Sequence, residues 1–139
     1  MNLKIISICL LGFASGLPYM LVFVTLGTWL AVIDLDLATI GFFAWIVLTY
    51  SLKFLWSPLV DNFTVPILSI YGKRKSWIIL MQILIIIFLL LISFTDPSIN
   101  LSLFAFFAFL VAFFGSIQDI AIDAFRIELA EIDEQGNLA

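Results

Sequence analysis

Asp119, Asp123 and Arg126 follow one another at i, i+4 and i+7, so on a helix they share one face. Around them the chain reads Gln118-Asp119-Ile120-Ala121-Ile122-Asp123-Ala124-Phe125-Arg126. Two carboxylates and a guanidinium on one stripe suit proton coupling or gating. Low dielectric raises the pKa of a carboxylate and a nearby guanidinium lowers it again. The opposing reading is ordinary solvation, because Leu101 to Gln118 spans about 27 Å of helix and brings Asp119 to a membrane interface. Lys53 is the second candidate. It sits in an otherwise apolar run, where a charge costs about 2.5 kcal/mol or more at the bilayer centre. Facing a cavity, it would contact an anionic substrate or an acidic partner. Otherwise its four-carbon stem snorkels to the interface beside Trp56. Lys53 lies roughly 21 Å along its helix from Thr39. That depth matches Asp119, so the two are expected on facing helices, paired directly or through water. The third candidate is Asp61, followed after ten residues by Gly72-Lys73-Arg74-Lys75. Charge alone makes this a topogenic cluster. Asp61 and Arg126 fall at helix ends on the same side and are expected to form a latch.

Other chemistry is excluded. The chain has no histidine and one cysteine, Cys9, so it has no Cys/His metal set, no His-based triad and no internal disulfide. It holds no phosphate-cradling glycine loop and no nucleophile elbow. No metal or cofactor is expected, and no enzyme activity. Asp119 and Asp123 have no organised pocket for hydrolysis. With six basic against ten acidic residues and a net charge of −4, nucleic acid is not an expected partner.

The elements that must hold these groups are membrane helices. Of 139 residues, 64% are hydrophobic and 12% are charged. Soluble domains carry about 45–50% apolar and about 25% charged residues, and a soluble fold of this size could not hide so much apolar surface. Four runs predict four transmembrane helices, at about 5–33, 38–60, 76–95 and 99–124, with a cytoplasmic tail at 127–139 that carries Glu128, Glu131, Asp133 and Glu134. The first run is too long for a signal-peptide core of about 7–15 residues. The second has 16 uncharged residues before Lys53 and must carry it. The third is apolar all round except for Gln82, and is expected to face membrane lipid. In the first, Gly12 and Gly16 form a small-xxx-small pair and Pro18 removes a backbone hydrogen bond. Both a hinge beside a cavity and plain helix packing fit that pattern. Lys4, Lys73, Arg74, Lys75 and Arg126 fall on one side, and the positive-inside rule makes that side cytoplasmic for both termini.

Four blocks, in order, resemble the AmpG-type muropeptide permeases of the major facilitator superfamily. They are Leu11-Gly12-Phe13-Ala14-Ser15-Gly16-Leu17-Pro18, Thr39-Ile40-Gly41-Phe42-Phe43, Lys53-Phe54-Leu55-Trp56-Ser57-Pro58-Leu59-Val60-Asp61 and Ser116-Ile117-Gln118-Asp119-Ile120-Ala121-Ile122-Asp123-Ala124. The resemblance implies an all-α fold, the first part of a facilitator N-terminal half. It implies a bacterial inner-membrane symporter that uses the proton gradient to return anhydro-muropeptides, small glycopeptides, to the cytoplasm for peptidoglycan recycling. Lys53, Gln118, Asp119 and Asp123 would then line the substrate or proton pathway. Asp61, Gly72, Lys73, Arg74, Lys75 and Arg126 would belong to the cytoplasmic gate. Ten residues separate Asp61 from Gly72, where the general superfamily signature has two. Facilitators have twelve or more helices in two halves, so this resemblance covers an N-terminal fragment only. It implies either a truncated transporter working with another chain that supplies the missing helices, or a non-transporting remnant or accessory subunit.

Overall fold

The first apolar run winds into one long helix, α1 (Leu3–Val32), because nothing charged interrupts it after Lys4. Pro18 has no N–H to offer the Ala14 carbonyl. Three residues later the helix widens into a π turn, Leu21–Thr25, and then resumes its α geometry. The chain turns at Asp34, whose φ of 57° is a left-handed conformation that aspartate tolerates better than most residues. Asp36 then caps α2 (Leu37–Ser51), its carboxylate accepting the Thr39 N–H at 3.1 Å. The computed structural model describes residues 3–129, apart from the side chains at 38, 40, 42, 44 and 47. The acidic tail expected beyond residue 129, with Glu131, Asp133 and Glu134, lies outside the described residues.

The second run departs from the single helix expected over 38–60. Helix α2 stops at Ser51, a 3-10 turn follows at Lys53–Leu55, and a short α3 (Ser57–Asn62) completes the run. Pro58 cannot donate to the Phe54 carbonyl, so the α ladder does not run through it, but it fits the first turn of the new helix. Among the described residues, three helices are long and apolar enough to cross a membrane: α1, α4 (Lys73–Phe94) and α5 (Leu101–Leu129). The fold is all-helical, with no strand among the described residues. Helix α5 runs past the expected end at 124, through Arg126 and Glu128 to Leu129. Its start is capped by Asn100, which accepts the Leu103 N–H at 3.2 Å. Gly72 opens α4 at φ 96°, where an L side chain would be strained.

Helix α5 is the hub. It packs most extensively on α4 and also touches α1, α2 and α3. Lipid tails are as apolar as leucine, so close fit rather than escape from water must hold such helices together. Ala108, Ala112, Gly115 and Ser116 supply that fit, all buried. One core layer surrounds Phe104, which lies edge-on to Trp29 and Phe43 at 5.3 and 6.3 Å between ring centroids. A second, towards the basic end, joins Val60, Trp77, Met81, Ile117 and Ala121. The third run, expected to face lipid, is exposed on one side and packed on the other. Ile83, Ile86, Ile87 and Leu90 are exposed, whereas Trp77, Ile78, Met81 and Ile85 pack inward.

Gly115 marks the tightest crossing. A Cβ there would lie 3.2 Å from Tyr50 Cζ, closer still to its hydroxyl, and 3.6 Å from Pro18 Cβ. That hydroxyl is buried without a hydrogen-bond partner among the described residues. Gly115→Ala is expected to destabilise the bundle by about 1–3 kcal/mol through overpacking. Tyr50→Phe should relieve most of that loss, and should cost little by itself because it removes an unsatisfied group. Unfolding in mixed micelles with increasing dodecyl sulfate measures both. Equal losses from Gly115→Ala with Tyr50 or Phe at position 50 would refute this account.

Candidate functional site

Three elements converge on one ionic node. The 3-10 turn after α2 carries Lys53, α5 carries Asp119 and Asp123, and α1 carries Ser15. Lys53 Nζ lies 2.8 Å from Asp119 Oδ2 and 3.6 Å from Asp123 Oδ2. Ser15 Oγ donates to Asp119 Oδ1 at 2.6 Å. Asp123 Oδ1 is 3.8 Å from Arg126 Nη2. The break at Leu52 matters here, because it ends the helix just before the lysine and leaves the ammonium directed at α5. The four charges balance, two acids against two bases. The side chains of Lys53, Asp119 and Asp123 are 40%, 31% and 47% exposed. Two cavities adjoin the node. One cavity of about 510 Å³ is lined by Lys53, Ser57, Asp61, Arg74, Asp123 and Glu128. Another, of about 490 Å³, is lined by Gly12, Ser15, Gly16, Asp119, Asp123 and Arg126.

A second network closes the basic end. Arg74 bridges two helices, with Nη1 2.8 Å from Asp61 Oδ1 and Nε 3.0 Å from Glu128 Oε1. Lys73 donates to the Asp61 main-chain carbonyl. The hydrogen bond from Arg74 holds the Asp61 carboxyl below the usual carboxylate range. The expected Asp61–Arg126 latch is therefore corrected: Asp61 pairs with Arg74, and Arg126 lies beside Asp123. The ten residues between Asp61 and Gly72 do not prevent this contact, because the loop folds back onto α4. Trp77 Nε1 donates to the Phe63 carbonyl at 2.9 Å, and Ser76 donates to the Leu68 and Gly72 carbonyls.

Other candidates lie apart from the node. Gln118 is 1% exposed and donates to Gln82 Oε1 at 3.3 Å, between α4 and α5, and lines neither polar cavity. One residue along a helix is a rotation of about 100°, which turns it away from Asp119. Among the described residues a Cβ at Gly12 or Gly16 meets nothing within 4 Å, and both glycines line the second cavity. Pro18 is buried beside Gly115. Trp56 packs inward. Its indole nitrogen is buried and its ring packs on Phe113, 4.9 Å between centroids. Lys75 stands over the Phe125 ring at 5.7 Å, away from Asp61. Ser15 and Glu128 are the site residues that pattern reading missed. Ser15 sits among small residues, and Glu128 in what reads as a solvated tail; neither position signals its partner.

Comparison with known proteins agrees with the architecture. The family model described as Acetyl-coenzyme A transporter 1 matches residues 4–135. A Rickettsia conorii protein named as a transporter, AmpG 4, is 43% identical over 132 residues, which is 95% of this chain and 32% of that protein. The anhydromuropeptide permease of Escherichia coli K12 is 40% identical over 127 residues, 91% of this chain and 25% of the permease. The chain thus spans a quarter to a third of the length of these relatives. Its apolar spanning helices, its matched family and its AmpG-named relatives agree, and the chain belongs to the membrane-transporter family that the acetyl-coenzyme A transporter 1 model describes.

Proposed function

We propose that this chain forms the first four transmembrane helices of an AmpG-type, proton-coupled permease that takes up anhydro-muropeptides across a bacterial inner membrane for peptidoglycan recycling. Helix α2, the 3-10 turn and α3 as far as Val60 together make the second crossing, and both termini lie in the cytoplasm with the basic cluster. The observation that carries this reading is the Lys53–Asp119 pair, tied to α1 by Ser15. Protonating Asp119 removes its charge. Lys53 is then held by Asp123 alone, and is available to a substrate carboxylate. Weakening of the Ser15 and Lys53 contacts loosens the ties of α5 to α1 and to the 3-10 turn, the kind of change that can bias a two-state rearrangement. The remaining length of the relatives is supplied by the same or another polypeptide, because the path in this superfamily runs between two halves.

The test uses membranes in which this chain is joined by the remaining helices. Asp119→Asn should abolish proton-driven accumulation of labelled anhydro-muropeptide while sparing substrate exchange at equal concentrations. Undiminished accumulation would remove Asp119 from the coupling step. Topology is checked separately in a Cys9→Ser background. An impermeant thiol reagent added outside should label Leu35→Cys and not Lys73→Cys; the reverse pattern inverts the orientation.

A further inference from the structure

We propose that a groove between α1 and α4, at the end carrying the basic cluster, binds an anionic phospholipid. This rests on the membrane-spanning reading above. The groove has a volume of about 590 Å³ and its apolar wall includes Leu10, Leu11, Ile79 and Phe125, with Lys4 and Lys75 at its rim. Three other bases at this end are engaged by carboxylates or main chain: Lys73 and Arg74 at Asp61 and Glu128, and Arg126 beside Asp123. Lys4 and Lys75 form no ion pair among the described residues, and Lys75 instead stands over the Phe125 ring. Two ammonium groups with no ion pair among the described residues, above an apolar trough, complement a phosphodiester joined to acyl chains. From Lys4 to Leu11 the trough runs about 10 Å along the helix, the depth of an acyl chain's first segment. An apolar helix laid in this groove would cover two ammonium groups without supplying an acid, which is unfavourable. A lipid phosphate supplies the missing charge and keeps the trough dry.

The experiment places the full 139-residue chain in phosphatidylcholine nanodiscs with a trace of spin-labelled phosphatidylglycerol or spin-labelled phosphatidylcholine. The motionally restricted fraction of each label gives their relative association constants. Phosphatidylglycerol should be preferred, and Lys4→Gln and Lys75→Gln should each reduce the preference by about five-fold. A photo-reactive residue replacing Leu10, which is 64% exposed, should capture phospholipid. Wild-type preference in the double Lys4→Gln, Lys75→Gln variant would overturn the proposal. Capture of a second polypeptide from position 10, or displacement of the labelled lipid by inorganic phosphate, would do the same. A chain that alkaline carbonate strips from vesicles would overturn the membrane reading itself, and the lipid site with it.

Discussion

Replacing Lys53 by Met is expected to cost about 2 kcal/mol of stability and to abolish uptake in the assembled permease. Breaking a fully buried pair from one side costs about 3–5 kcal/mol. Here the three side chains are 31–47% exposed, so water offsets part of the loss. The structure also predicts an order among variants. Without Lys53, Asp119 and Asp123 stand one helical turn apart and repel, with Ser15 and Arg126 as their remaining partners. Asp119→Leu is milder, because Lys53 keeps Asp123 at 3.6 Å. Lys53→Met combined with Asp119→Leu should be more stable than Lys53→Met alone, since no uncompensated charge then remains at that depth and Asp123 keeps Arg126 at 3.8 Å. Unfolding midpoints of the four proteins in detergent measure this order. Strictly additive losses, or Asp119→Leu as the worst of the set, would refute the node as a coupled unit.

Membranes containing only these 139 residues are expected to accumulate no anhydro-muropeptide. The path in the superfamily lies between two halves. The polar cavity lined by Gly12, Gly16, Ser15 and Asp119 is covered by no helix among the described residues. Left facing lipid, an ionic node draws in water or loses its charge. Reduced stability or oligomerisation is the expected result, visible in size-exclusion chromatography. Supplying the remaining helices on a second polypeptide should restore uptake, and Asp119→Asn should abolish the restored activity. Proton-coupled accumulation by the chain alone would overturn this account and require an oligomer that rebuilds the missing half.

Composition and spacing determined a good deal without any coordinates. Apolar content this high leaves a membrane as the only solvent the chain can use. Helical rise alone placed Lys53 and Asp119 at one depth, and they meet at 2.8 Å. The i, i+4 spacing put Asp119 and Asp123 on one face, and both reach the same ammonium. These properties repeat along a single axis, so a linear sequence carries them. The tertiary structure decided what depends on rotation and on the path between helices. Gln118 neighbours Asp119 in sequence, yet it turns away to Gln82 because packing sets the rotation of α5 against α4. Asp61 finds Arg74 instead of Arg126 because a loop of ten residues folds back on α4, a path no spacing rule describes. Ser15 became a partner of Asp119 only when α1 was laid across α5. A serine hydroxyl carries no charge pattern that would announce a contact 104 residues away.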